Sequence, residues 1–210
     1  MPGCPYFIGN TFVHLFAGLL LTALSAENPV AGDLSKKPLT HILFLIVLLV
    51  LLFSVLSVPV GPLKYALFAF LCVLLGQNLT GLEQRLKQKQ LLSSVLFYTG
   101  TVFVTMVGLG LYDSQNMLGW GIYLSFALVA LLVAMLFSAL FIENPEERTS
   151  INMWISRLIV LLFTFFIAFD VEVLKENAKA CKGEPDYINE SMGLYLDIIN
   201  LFTGFGSSNN

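Results

Sequence analysis

Apolar residues come in runs of about twenty, without the strict alternation of a half-buried strand, separated by short clusters of charged, proline and glycine residues. Dividing the chain by the length a helix needs to cross hydrocarbon places spans at 5–25, 40–60, 63–82, 91–112, 117–142, 151–175 and 187–205. The breaks are Glu27 to Lys37, a Pro59-Val60-Gly61-Pro62 turn, Glu83 to Gln90, Asp113 to Asn116, Glu143 to Ser150 and Lys175 to Asp186. All are short, so the pattern predicts an all-α membrane protein: one transmembrane domain of seven helices over 1–210, with Glu83 to Gln90 a solvated loop.

Composition removes the alternatives. Of 210 residues, 57% are hydrophobic and 12% charged, with a mean hydropathy of +0.81; a soluble domain carries about 25% charged residues. Inside lipid the backbone must satisfy its own polar groups, and unbroken apolar runs choose helices over a barrel. The net charge of −3 leaves no basic field for nucleic acid. Cys4, Cys72 and Cys181 are far apart, which predicts neither a disulfide framework nor a metal spacing. The first apolar stretch has no basic segment before it and reads as a retained helix.

Near the membrane, Lys64, Lys175, Lys179 and Lys182 fall on the N-terminal side, and Lys36, Lys37, Arg85, Lys87, Lys89, Arg148 and Arg157 on the other. Four against seven favours a cytoplasmic C-terminus. Small residues at Thr99-Gly100-Thr101, Gly108, Gly110, Gly119 and Gly121 predict close helix packing.

The informative charges are those far from water. An Asp at the centre of a lipid-embedded helix costs roughly 2.5–3.5 kcal/mol on insertion scales, and Asp170 and Asp197 both sit in apolar surroundings. They are 27 positions apart, with a midpoint in Lys182-Gly183-Glu184-Pro185, a stretch able to reverse the chain. In an antiparallel hairpin turning there, each lies roughly 20 Å from the turn, so the carboxyls share one depth. Glu190, Gly193, Asp197, Asn200 and Gly204 follow a 3-4-3-4 spacing, one polar and small face on the last helix, which predicts a central position. Two carboxylates side by side in low dielectric do not both ionise cheaply; they share a proton, and the ionised pair attracts a hard cation such as Ca²⁺. The alternative is that each Asp bonds a neighbouring hydroxyl or backbone group.

Other polar residues read more simply. His14 and His41 are interfacial; Arg157 snorkels or meets Glu143, Glu146 or Glu147. Gln77 and Asn78 bond a helix end in preference to lining a pore. Asn78-Leu79-Thr80 and Asn189-Glu190-Ser191 match the glycosylation pattern but hug the membrane.

Phe169-Asp170, then Asp186-Tyr187-Ile188, then LYLDIINLF from Leu194 to Phe202 resemble the C-terminal signature of the transmembrane Bax inhibitor motif family, the Bax inhibitor-1-like proteins. FAGLLLTAL, from Phe16 to Leu24, is similar to the family's first helix, LFAFL from Leu67 to Leu71 to its third, and Thr99 to Phe103 with Leu118-Gly119 to its fourth and fifth. The resemblance implies two three-helix layers around a central C-terminal helix and a pH-dependent Ca²⁺ leak across an internal or plasma membrane, with suppression of cell death in eukaryotic members. The family's paired aspartates carry over onto Asp170 and Asp197. The chain departs in two places: some relatives latch the pair with a basic residue on the second helix, whereas Ile42 to Pro62 holds none and Lys64 is nearest, and some end in a basic tail where this chain has Gly206 to Asn210.

The expected function is therefore a Ca²⁺ leak with Asp170 and Asp197 as pH-sensing gate and Ca²⁺ contact, and with Glu190, Gly193 and Asn200 lining the path. No cofactor is expected beyond Ca²⁺ as the transported ion. The expected partners are lipid, protons, Ca²⁺ and cell-death regulatory membrane proteins, and the setting is an internal membrane, or the plasma membrane in a bacterium. An intramembrane aspartyl protease would also use two late aspartates, but its Gly-x-Gly-Asp context is missing before Asp197 and no Pro-Ala-Leu follows. A non-conducting regulator that binds other membrane proteins is the third reading.

Overall fold

The computed structural model describes residues 4, 6–28, 38–112 and 117–208. Lys36, Lys37 and the Asp113 to Asn116 break lie outside the described residues, as does the His41 side chain. Among the described residues the chain is all-helical. Seven α-helices run in order: α1 (Phe7–Glu27), α2 (Pro38–Ser57), α3 (Pro62–Gln88), α4 (Leu92–Tyr112), α5 (Gly121–Phe141, preceded by a 3₁₀ turn at Met117–Trp120), α6 (Pro145–Ala180) and α7 (Tyr187–Ser208).

Among the described residues four helices, Phe7–Glu27, Pro62–Gln88, Leu92–Tyr112 and Met117–Ser138, are long and apolar enough to cross a membrane. Their outward positions are large and apolar, including Phe16, Leu20, Phe97, Val104, Phe126 and Val133. Such a surface suits lipid, where backbone groups are already satisfied within each helix.

Helix ends differ from the polar breaks for a common reason. Apolarity marks where hydrocarbon is crossed, but a helix continues past it wherever charged side chains reach water. Glu83 to Gln90 is accordingly no solvated loop: α3 runs to Gln88, and Glu83 is buried with Lys87 Nζ 2.7 Å from its carboxylate one turn on. Gln90, at a positive φ of 56°, ends that run in a left-handed cap. Helix α6 likewise absorbs most of the Glu143 to Ser150 break and half of the Lys175 to Asp186 break; its 36 residues make a rod of about 54 Å.

The chain divides into two compact units, Met1–Lys89 with Cys181–Tyr195, and Gln90–Ala180 with Leu196–Asn210. In the first, α1 packs on α3 and α2 on α3. The buried positions of α1 are Phe7, Thr11, Leu15, Gly18, Thr22 and Ala26, a 4-4-3-4-4 stripe. Gly18 lies under the Phe68 ring, where a Cβ would come within 2.7 Å of it, and Gly76 presses on the Thr22 and Ser25 turn of α1. Gln77 then bonds Ser25 O at 2.7 Å and Asn28 O at 3.2 Å, a helix-end role.

In the second unit, α4 and α5 both pack on α6. Gly110 of α4 receives Val171, and Gly121 at the start of α5 receives Phe169; a Cβ at either would lie 2.8 Å from its partner side chain. Gly100, Gly108 and Gly119 face open space, so of the glycines expected to pack closely only two of five do. Arg157 meets none of the glutamates named for it: its guanidinium lies over Trp154, 5.0 Å from the ring centroid.

The expectation for the cysteines is overturned. Cys4 and Cys181 form a disulfide, with Cα atoms 5.8 Å apart, while Cys72 is free and buried. Their separation of 177 residues hides the pairing, because folding returns the start of α7 to the start of α1.

Candidate functional site

Helix α7 is enclosed along its length: no residue from Tyr187 to Ser208 is exposed. Asp186 begins it as an N-cap, accepting from Asn189 N at 3.1 Å, and Gly183, at φ +97°, makes the turn before it. The reversal therefore falls in the stretch expected to supply it.

Asp170 of α6 and Asp197 of α7 both belong to the second unit. The neighbours of Asp170 fix its rotation, since Phe169 and Val171 sit in the Gly121 and Gly110 notches. One turn along, Lys175 Nζ donates to Gly110 O at 2.8 Å, and Met117 N donates to Glu172 Oε2 at 2.5 Å. Helix α7 approaches α6 closely at Gly204, against Val160 and Ile159. Seven residues forward from Asp197 thus match about ten backward from Asp170, an antiparallel pairing.

The two carboxyl groups are neighbours and act on each other electrostatically. Asp197 is 3% exposed, Asp170 is partly buried, and no N–H or O–H of a described residue reaches Asp197 Oδ2. A buried carboxyl oxygen left this way calls for a proton, a water or a cation as its partner. Asn200 follows one turn along α7, partly buried, its amide donating to Leu196 O at 2.8 Å. Glu190 and Gly193 are partly buried in the first unit, about 10 Å and 6 Å before Asp197 along the helix. Among the described residues no group of three or more His, Cys, Asp or Glu stands together. Two carboxylates fall short of the six to eight oxygens of a resident Ca²⁺ cage.

Comparison with known proteins decides the relationship. The family described as "Inhibitor of apoptosis-promoting Bax1" matches residues 5–206, nearly the whole chain. The chain belongs to this Bax inhibitor family. It is an integral membrane protein, as that family and its apolar helices require. An uncharacterized protein of Deinococcus radiodurans is 27% identical over 205 residues, covering 93% of this chain and 86% of the relative. One of Borreliella burgdorferi is 24% identical over 212 residues, covering 93% and 88%. A third, from Caulobacter vibrioides, is 27% identical over 142 residues, covering 65% and 54%.

This Bax inhibitor family member holds two further polar centres in its first unit. Lys64 is fully buried and donates to Asp186 Oδ2 at 2.5 Å and to Val58 O at 2.9 Å. Its charge is met inside the protein, which lowers the weight of the N-terminal face in the lysine and arginine tally. The sequence signal was an unaccompanied Lys after a Pro-rich turn and an Asp ahead of the last helix. The other centre joins three helices: Thr22 Oγ1 and Tyr195 Oη are 2.6 Å apart, and Thr22 also bonds Cys72 O at 3.2 Å. His14 stacks on Tyr187 with its Nδ1 2.8 Å from Asn10 O.

Proposed function

We propose that this chain lets Ca²⁺ leak across its membrane under the control of protons, with Asp170 and Asp197 as the gate. One observation supports the reading above the others: carboxyls of α6 and α7 neighbour each other, and one carries a buried oxygen without a donor among the described residues, which a proton shared by the pair would satisfy. With a proton between them the aspartates bridge the helices; fully ionised they repel and become attractive to a hard cation. Asn200 lies beside the gate, and Glu190 and Gly193 lie along α7 toward its start, where they line the path in this reading. All seven helices cross the membrane, with α1 to α6 in two layers of three around α7. In a eukaryotic host the same leak lowers the Ca²⁺ content of an internal store and so restrains cell death.

The test is Ca²⁺ flux into dye-loaded proteoliposomes across a pH series. Replacing either aspartate by Asn keeps a hydrogen bond across the pair but removes the titratable proton, and the pH dependence is expected to vanish. An unchanged pH response in both Asp170→Asn and Asp197→Asn removes the gate. Absence of flux from the purified protein at every pH favours a regulator that works by binding.

A further inference from the structure

An unusual density of ties converges on the first turn of α7, all within the first unit. Asp186 caps the helix through Asn189 N and takes the buried Lys64 ammonium, which joins it to the start of α3. Asn189 Nδ2 reaches Leu56 O at the end of α2, 3.1 Å away. Asn10 Nδ2 of α1 donates to Tyr187 Oη at 3.2 Å, and the Tyr187 ring lies on His14. Ahead of these, the Cys4–Cys181 disulfide ties the residue just after α6 to the segment before α1.

We propose that these groups form a clamp that sets the resting leak. Lys64 and Asp186 are its positioning residues, Cys4–Cys181 is its covalent and redox-sensitive half, and the face that carries it borders an oxidising compartment. The part concerning leak rests on the function proposed above. Helix α7 runs unbroken from Tyr187 to Ser208, so Asp197 lies about 15 Å beyond the clamped end on the same rod. Sliding α7 by one residue moves that carboxyl about 1.5 Å in depth and turns it by roughly 100°. Fixing the first turn therefore restrains the sliding and rotation of the helix that carries Asp197.

The disulfide also gives the face. Disulfides persist where the medium is oxidising and are rare in cytosol, and Cys4 and Cys181 both lie outside the helices at the end of the unit where α1 and α7 begin. Glu27 and Lys87, 3.6 Å apart, mark the opposite end. Arg85, Lys87 and Lys89 gather at that opposite end of the unit, which favours the cytosol there. Release follows ordinary exchange: a dithiol reductant attacks one sulfur, the S–S bond breaks and a mixed disulfide forms. The second reductant thiolate then closes its own disulfide, and Cys4 and Cys181 each leave as a thiol with one proton.

The experiment uses the full chain in Ca²⁺-dye proteoliposomes, with a maleimide mass tag counting free thiols. Dithiothreitol is expected to raise the wild-type leak at least three-fold as two thiols become taggable. Cys4→Ser/Cys181→Ser should leak at the raised rate with and without reductant. Lys64→Met and Asp186→Asn should also leak faster, whereas Lys64→Arg, which keeps the charge, should return the leak to the wild-type rate. In sealed cells or vesicles of known orientation, an impermeant reductant should free the tagged pair only from the N-terminal face. The proposal is overturned if unreduced protein already shows both thiols, if release leaves the leak unchanged, if Lys64→Met and Asp186→Asn leak at the wild-type rate, or if only the opposite face responds. Should no preparation conduct Ca²⁺ in any redox state, the leak reading fails, while the thiol count still decides the disulfide and its face.

Discussion

The two partners of the buried ion pair should be unequal when removed one at a time. The Lys64 side chain is 0% exposed and that of Asp186 is 27% exposed. Asp186→Asn keeps an N-cap of equal quality, so the variant isolates the charge. It strands a buried ammonium with only Val58 O as acceptor. Breaking a buried pair this way costs about 3–5 kcal/mol, and the partial exposure of Asp186 points to the lower figure, about 3 kcal/mol. Lys64→Met instead removes the charge that cannot reach water and leaves a carboxylate that can. An unbranched apolar chain refills the space, and the expected cost is about 0–1 kcal/mol. The difference of about 2–3 kcal/mol corresponds to roughly 4–12 °C in midpoint for a chain of this size. Thermal unfolding followed by intrinsic fluorescence of Trp120 and Trp154 in detergent reads it, with wild type, both single variants and the double variant side by side. The double variant should return close to Lys64→Met. A Lys64→Met midpoint at or below that of Asp186→Asn would refute the reasoning.

Further outcomes follow from other contacts. Gly110→Ala places a methyl 2.8 Å from Val171 and should cost about 1–3 kcal/mol by overpacking; Gly108→Ala, in the same helix but facing open space, should be neutral or stabilising by up to about 1 kcal/mol, and paired thermal midpoints check both. Tyr195→Phe loses the 2.6 Å bond to Thr22 and should cost about 1 kcal/mol, measured the same way, with the pH response of the leak retained because the aspartate pair is untouched. Lys175→Met removes the bond to Gly110 O and should cost about 1–2 kcal/mol, again in thermal midpoint.

Seven helices, their order and the turn before the last one were legible in the residues, because apolar run length and a Gly-Pro reversal are local properties that lipid converts directly into helices. That Asp170 and Asp197 neighbour each other was legible for the same reason: a helical hairpin turns sequence spacing into distance. Side-chain facing was not. Whether Gly110 or Gly108 receives a neighbour depends on the rotation of α4 against α6, which no single-helix pattern specifies. Glu83 looked like loop because its charge is neutralised one turn later by Lys87, a pairing that lets an acid stay in a buried helix end. Tertiary structure alone decided the Cys4–Cys181 bond and the Lys64–Asp186 pair. Each joins residues more than 120 positions apart, and their proximity arises from the return of α7 to the beginning of the fold.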